Sequence, residues 1–507
     1  MAVSGKSGYR ASVSLPRVDR RQFLLRSTAV FAGGVSVLKP RAASGADPVG
    51  EGPFQAMGMR VGEVRENQAV VWTRLTQAPD RVARGFVVPP RARDEKKRGK
   101  GDSKLTESVD GMDGACPGAP GRARLRYGLR EDLSDAQQTD WMEATAENDF
   151  ICKFVLTGLQ AGAWYHCASE VSGPGGTPAG SEWRARFQTA PPAESPSNLR
   201  FCVMTCQGYA DRGHPDGHDI YPAMQALAPR FACLTGDLVY YDSGDPDAVN
   251  ERLARYHWER MFSLPRLRDF LRNHSAYWLK DDHDTLSNDS GPGASMGEFT
   301  FAQGQKIFKQ QAPMPESAPG YRTVRWGRDL QIWFVEGRDF RSKNKSPDGP
   351  EKTIWGAEQK AWFKQTVLES SATWKVLVSP TPLVGPDRKN KHDNHSNENF
   401  THEGSELREW IQAHAAEQLI VVCGDRHWQY HSVDPQTGVR EFSVGPASDA
   451  HAGGSPGLNA QFHRFHRVGG GFLSVTLERV DPHSRIVCEL RDVNGRVVHT
   501  WEALRRV

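Results

Sequence analysis

Three things are scarce in this chain of 507 residues, and each scarcity excludes something. Cysteine occurs only 8 times, too thinly for a fold stapled by disulfides. An excess of one charge is missing too: 64 basic side chains face 61 acidic ones, so the net +3 implies no polyelectrolyte partner. The most charged stretch, Arg91–Lys104, contains acids and no interleaved aromatics, and reads as a solvated loop rather than a nucleic-acid surface. Long apolar runs are also absent. The run Ser27–Leu38 falls short of the roughly 20 apolar residues that a membrane span needs. No internal repeat is visible. What remains is a length sufficient for two or three domains with ample cores.

The N-terminal region has an order of its own. Arg20-Arg21-Gln22-Phe23-Leu24-Leu25 precedes the modestly apolar run, which leads into the small residues Ala42–Ala46. Charged, apolar and small-residue regions in that order form a secretory signal. The paired arginines resemble a twin-arginine signal, which implies export of the folded protein by the twin-arginine translocation machinery. Residues 1–46 are thus expected to be a signal peptide. The mature chain then lies in the periplasm or outside the cell, with no stable membrane span after cleavage.

Residues 50–192 read as β structure. Gln68–Arg74, Phe150–Leu156 and Trp164–Glu170 are short strand patterns bounded by Gly, Pro or Asn, as in a small sandwich. Thr157–Tyr165 resembles the turn and aromatic corner of fibronectin III-like modules. Residues 77–120, rich in charge, Gly and Pro, read as a disordered insertion. Cys152 and Cys167 fall in neighbouring strands, where pairing after export is one possibility. A Pro- and Ser-rich linker, Thr189–Ser197, marks a boundary. From residue 198 to 507, strand patterns alternate with helical ones, which argues an α/β sandwich. The strands are Leu199–Thr205, Phe231–Thr235, Ala276–Leu279, Leu330–Val335, Trp374–Ser379 and Leu419–Cys423. The helical runs include Ala248–Phe262, Ala357–Leu368 and Ser405–Ala416. Three further strands near the C-terminus are expected to form an antiparallel edge.

The chemistry gathers where strands stop. Phe231–Thr235 runs through Gly236 into Asp237, with Tyr240 three residues on. Leu419–Cys423 runs through Gly424 into Asp425 and His427. Tyr277-Trp-Leu-Lys-Asp-Asp-His-Asp284 and Phe201–Cys206 supply two more ends. Ligands in open α/β sheets gather beyond the carboxyl ends of strands. One Gly-Asp turn is ordinary; its recurrence beside thiolate, phenolate and imidazole groups points to a single metal site. Cys206, Asp237, Tyr240, Asp282, Asp425 and His427 are the candidate ligands. Carboxylates suit hard cations, whereas thiolate and phenolate favour a transition metal such as iron, so the mixture points to more than one ion. Paired cations suit phosphoester cleavage, and His283, flanked by acids, is placed to protonate a leaving group.

Gly236-Asp-Leu-Val-Tyr240, Asp281-Asp-His-Asp284 and Gly424-Asp-Arg-His427, in that order, resemble the calcineurin-type metallophosphoesterase signature. Cys206-Gln207, Tyr240, Tyr321–Gly327, Gly337–Arg341, Trp355–Trp362 and Trp374–Pro380 narrow the resemblance to the alkaline phosphatase D (PhoD-like) family. That resemblance implies a four-layer α/β metallophosphoesterase sandwich behind the fibronectin III-like domain, and an exported phosphatase acting on monoesters, diesters or both through a metal-activated hydroxide or oxide. It implies Fe3+ on Cys206, Asp237 and Tyr240, and Ca2+ on Asp237, Asp425 and His427 with either Asp282 or Asn288; another divalent pair such as Mn2+ or Zn2+ is the alternative. Asp237, His283 and His427 are the expected catalytic residues. Family members often carry an acid or amide two positions after the cysteine, where this chain has Gly208. A polar loop, Gly385–Asn397, is expected near the site. Arg338, Asn394 and His395 are the candidate phosphate contacts, with a buried ion pair as the other reading of Arg338. Two rival functions stand beside the phosphatase: a phosphodiesterase of phospholipid, nucleotide or cell-wall polymer esters, and a surface-binding protein with a vestigial metallophosphatase domain.

Overall fold

The computed structural model of the chain describes residues 52–88, 108–176, 179, 182–396 and 398–507. The expected signal peptide and the charged stretch Arg91–Lys104 lie outside the described residues. Two large sheets dominate. The first has nine strands in the order Val497–Arg506, His483–Asp492, Gly471–Val480, Leu199–Met204, Phe231–Thr235, Ser275–Leu279, Met59–Gly62, Gln68–Arg74 and Ile151–Thr157. The second has seven, in the order Arg322–Trp326, Leu330–Phe334, Trp374–Ser379, Leu419–Cys423, Arg440–Val444, Gln429–Val433 and His463–Arg467. The central strands of each are parallel.

Alternation along these strands sets the layers, because successive side chains point to opposite faces. Phe201, Val203, Phe231, Cys233, Tyr277 and Leu279 face inward and meet Ile332, Phe334, Val376, Val378, Ile420 and Val422 of the second sheet in one core. Their neighbours Cys202, Met204, Ala232, Leu234 and Trp278 face outward. There they meet four helices: α1 (Ile220–Ala226), α2 (Glu251–Phe262), α3 (Pro265–Asn273) and α4 (Phe301–Gln311). On the far side of the second sheet, Trp333, Leu377 and Val421 pack on α5 (Gly356–Glu369) and α6 (Thr401–Ala415). The result is helix, sheet, sheet, helix. Helix starts are chemically marked: Asn250 Oδ1 accepts the Leu253 N–H at 3.0 Å to open α2, and Thr300 with Gln303 forms a capping box that opens α4.

The six expected α/β strands form within a residue of their expected bounds. The C-terminal three form the antiparallel edge of the first sheet. The N-terminal β region differs from expectation. Three of its strands continue the first sheet, with Gly62 opposite Ala276 in parallel register, and only the remainder forms a separate five-stranded sheet. Cys152 and Cys167 sit in different sheets and both are free thiols, so they form no pair. The insertion also needs correcting at its described ends. Met112 and Ala115 are buried against Tyr256 of α2, with Val82 and Val88 packed beside them.

Candidate metal centre

Four strand ends converge. Leu199–Met204, Phe231–Thr235 and Ser275–Leu279 are neighbours in the first sheet, so Cys206, Asp237 and the acids at 281–284 emerge side by side. Leu419–Cys423 brings Asp425 and His427 from the second sheet. Glycine permits the approach. A Cβ on Gly424 would stand 2.6 Å from the Thr235 carbonyl oxygen, and one on Gly236 would stand 2.6 Å from Asp281 Cβ. The Gly-Asp repetition is therefore a spatial requirement: each glycine lets one strand end close on another, and the following acid turns inward. Cys206, Asp237 and Asp425 all hold the left-handed backbone, with φ of +52°, +55° and +61°. Such conformations cost of order 1 kcal/mol each in non-glycine residues and cluster at functional sites.

Asp237 is the common member of three groups whose ligand atoms lie within 4.8 Å of one another: Cys206–Asp237–His427, Asp237–Asp282–His283 and Asp237–Asp281–Asp425. Cys206 Sγ is 3.4 Å from Asp237 Oδ2, and the Tyr240 hydroxyl is 3.3 Å from the same oxygen. Thus Cys206, Asp237, Tyr240, Asp282, Asp425 and His427 are all brought together. Asp281, not chosen from the sequence, joins them. Asn288 is exposed and donates its backbone N–H to Asp242, whereas Asp282 has its carboxylate in a group with Asp237.

The electrostatics are those of a site short of positive charge. Burial pushes the Asp237 carboxyl up to about 7; His283 lowers it, and Asp282 and Asp281 raise it further. Burial likewise drives the Cys206 thiol and Tyr240 phenol well up, with Asp237 adding to both. His427 is pushed well below the ordinary imidazole range by burial and by His451 and Arg426, which keeps it neutral and able to ligate. Asp237 Oδ1 and Asp281 Oδ2 are buried with no hydrogen-bond partner. Orphaned buried carboxylate oxygens beside a thiol, a phenol and an imidazole fit a set of cations, since a buried charge needs pairing or coordination.

His283 is held for a different task. Its Nδ1 is 2.6 Å from Asp242 Oδ1, and a carboxylate can only accept, so Nδ1–H donates and Nε2 stays free. Burial opposes its charge, but Asp282, Asp242 and Asp237 together raise it well above the ordinary value. Asp242 carries this role although its place beside the motif is equally that of a turn former. Asp284 acts as a tie, accepting the N–H of Asp281 at 2.6 Å and of Leu238 at 3.0 Å.

The three candidate phosphate contacts are placed otherwise. Arg338 is fully buried, its Nε hydrogen-bonded to Asp281 and its Nη2 3.6 Å from Asp282, so it neutralises the acids, with Nη1 and Nη2 lacking a hydrogen-bond partner. Asn394 is buried, with its amide donating to Asp387 and Asp393 and its oxygen accepting from Ser396. His395 is buried against Trp355, its Nε2 2.9 Å from Glu403. The loop Gly385–Ser396 contributes internal ion pairs instead: Arg426, inside the Gly-Asp-Arg-His motif, is buried against Asp387 and lies 3.8 Å from Asp393. Sequence reading also missed His451. Its Nε2 lies 2.9 Å from the Tyr240 hydroxyl, and its Nδ1 2.6 Å from Asp211. Neither partner is within 200 positions of it, so no local pattern reveals it. A cavity of about 290 Å3 opens beside this pair, lined by Tyr209, Val239, Tyr240, Arg260, Met261 and His451 among others.

Comparison with known proteins agrees with this geometry. A family model described as PhoD-like phosphatase matches residues 201–468. A solved structure of PhoD superposes with a TM-score of 0.66 at 16% identity, covering 90% of this chain and 92% of that one. A purple acid phosphatase from yellow lupin (Lupinus luteus) seeds gives 0.57 at 12% identity, covering 88% and 73%. At such identities the likeness is one of fold. Comparison with curated proteins finds no match.

Proposed function

The chain belongs to the PhoD-like phosphatase family and is a phosphoric ester hydrolase, and from that we propose a metal-dependent phosphatase of small phosphate esters, exported by the twin-arginine route to the periplasm or beyond. The observation that carries the metal dependence is Asp237, shared by three ligand groups and left with an unpartnered buried oxygen. Cys206, Asp237 and Tyr240 would hold Fe3+. Asp237, Asp282, Asp425 and His427 would hold Ca2+, with Mn2+ or Zn2+ as the other pair the donors accept. Bound cations in such a site neutralise phosphoryl oxygens and supply a nucleophile at neutral pH.

The chain's own residues do the rest. Arg338, paired with Asp281 and Asp282, keeps the acids aimed into the site. His283, its ring anchored on Asp242, holds a proton for the oxygen of the departing alcohol. We place that alcohol in the cavity of about 290 Å3 beside Tyr240, a size that admits a compact group. The fibronectin III-like reading of the N-terminal β region is supported by the Gln160 N–H donating to the Tyr165 hydroxyl at 2.9 Å, as in a tyrosine corner.

The test uses purified mature protein. Metal content, the visible spectrum and hydrolysis of a phosphate monoester and a diester are measured together, with Asp237→Ala alongside. Bound metal, a tyrosinate–iron band, turnover lost on chelation and an Asp237→Ala protein lacking both metal and activity are expected. A monoester-to-diester ratio well below one would select the phosphodiesterase reading. A metal-free, inactive wild type after reconstitution would leave only a binding role.

A further inference from the structure

The room beside Gly208 is taken by the side chains of Asp211, three residues on, and of His451, from far along the chain. A Cβ at that position would stand 2.7 Å from Asp211 Oδ2 and 2.9 Å from His451 Nδ1, so any larger residue would displace this pair. The segment carrying His451 is sewn to the metal centre at both sides. The Ala447 N–H donates to the Cys206 carbonyl at 3.1 Å, and the Gly453 N–H to the His427 carbonyl at 2.9 Å. Ser448 caps the short turn Asp449–His451. The His451 ring packs 4.2 Å from that of His427, centroid to centroid. His451 is thus fixed by backbone, ring contact and the Asp211 carboxylate together.

Its hydrogen bonds have a direction. Asp211 can only accept, so Nδ1–H donates to it and Nε2 is left facing the Tyr240 hydroxyl. Tyr240 has one hydroxyl proton and two neighbours, His451 Nε2 at 2.9 Å and Asp237 Oδ2 at 3.3 Å. Held by the ring nitrogen 2.9 Å away, the Tyr240 oxygen stays turned toward Cys206 and Asp237. We propose that Asp211 and His451 form a positioning pair for Tyr240, occupying the space that Gly208 vacates and aiming the phenol oxygen at the metal-ligand cluster. The inference rests on the metallophosphatase reading above. Outer partners of this kind typically alter metal affinity by about 10–100-fold.

Fe3+ is the probe, titrated into metal-free full-length mature protein against a competing chelator, with the visible band recorded. His451→Phe removes the hydrogen-bond partner of Tyr240, Gly208→Ala displaces it from the other side, and His451→Gln restores a polar group at the Nε2 position. We expect His451→Phe and Gly208→Ala to weaken iron binding about tenfold or more and to move the tyrosinate band, and His451→Gln to recover both in large part. In a His451→Ala background, Gly208→Ala should change iron affinity no further, because Asp211 acts on Tyr240 only through His451. Thermal unfolding reads any folding defect; if His451→Phe fails to fold, Asp211→Asn is titrated in its place with the same expectation. Wild-type iron affinity and band in His451→Phe, or in its substitute, would overturn the inference while leaving the phosphatase intact. Loss of both in His451→Phe without recovery in His451→Gln would also overturn it, reducing His451 to packing. A wild type that binds no metal and cleaves no ester would instead remove the functional reading itself.

Discussion

At the scale of single residues, this site distinguishes side chains that meet substrate from those that hold the acids in place. The acid role proposed for His283 puts it with the first. Its imidazolium is stabilised by Asp282, Asp242 and Asp237 against the cost of burial, so its folded-state value is raised. The sign follows. Stability from this charge is complete below the unfolded value of about 6.5 and is lost as pH rises through the raised one. In the loaded site Asp237 and Asp282 are taken up by cations and Asp242 is left to hold the proton, so activity that needs it should fall on the alkaline side. His283→Gln should lower kcat by roughly 10²–10⁴ and abolish that alkaline fall, while metal content stays at one wild-type complement. A pH–rate series on both proteins checks this. Arg338 belongs with the second class. Arg338→Met leaves Asp281 and Asp282 buried without their cation, and should cost about 3–5 kcal/mol in denaturant unfolding. Unchanged stability with a raised KM would instead make Arg338 a phosphate contact.

At the scale of elements, α6 is held by one carboxylate. Glu403 in its first turn accepts from the Ile354 N–H at 2.6 Å, from the Thr353 hydroxyl and from His395 Nε2 at 2.9 Å. Burial alone would raise its carboxyl, but the His395 and Ile354 bonds bring it down to about 2. A lowered folded value means stability present above the unfolded value of about 4.5 and lost as pH falls toward 2. Glu403→Gln should therefore cost about 3 kcal/mol at pH 7, and much less near pH 2. Chemical denaturation at the two pH values reads the difference. Legibility also divides by element. Buried parallel strands appear as unbroken apolar runs, which is why Phe231–Thr235 and Leu419–Cys423 were readable to the residue. Helices α1 and α3 were not. Each is under ten residues, α1 contains Pro222, and both owe their place to the face of the first sheet.

At the scale of the whole molecule, the N-terminal strands are part of the framework of the hydrolase. Met59–Gly62 covers the edge of Ser275–Leu279, the strand that delivers Asp281 and Asp282. Trp72 Nε1–H donates to the Gln310 carbonyl at 2.9 Å, and Arg74 pairs with Asp149 and Glu259 in the core. A chain starting at residue 198 would bare that edge and strip buried Glu259 of Arg74 and of the Cys116 N–H, leaving it Arg252, so it should be insoluble or unfold without cooperativity. Expression and thermal unfolding of residues 198–507 test this, and a soluble, cooperative fragment would restore the autonomous domain that the linker at 189–197 suggests.

The sequence by itself determined the strands, the Gly-Asp turns and the family of ligands at their ends. Those depend on residue type and short spacing, and apolar runs, glycine and acid leave local marks. Tertiary structure alone decided which polar residues look into the site. Arg338, Asn394 and His395 have the chemistry of phosphate binders, yet Asn394 and His395 are buried on Asp387 and Glu403, and Arg338 is buried with its Nε on Asp281. His451 meets Asp211 and Tyr240 across more than 200 residues, through strand ends brought together from two sheets. Composition and spacing carry no trace of such a contact, because it is fixed by how the layers pack.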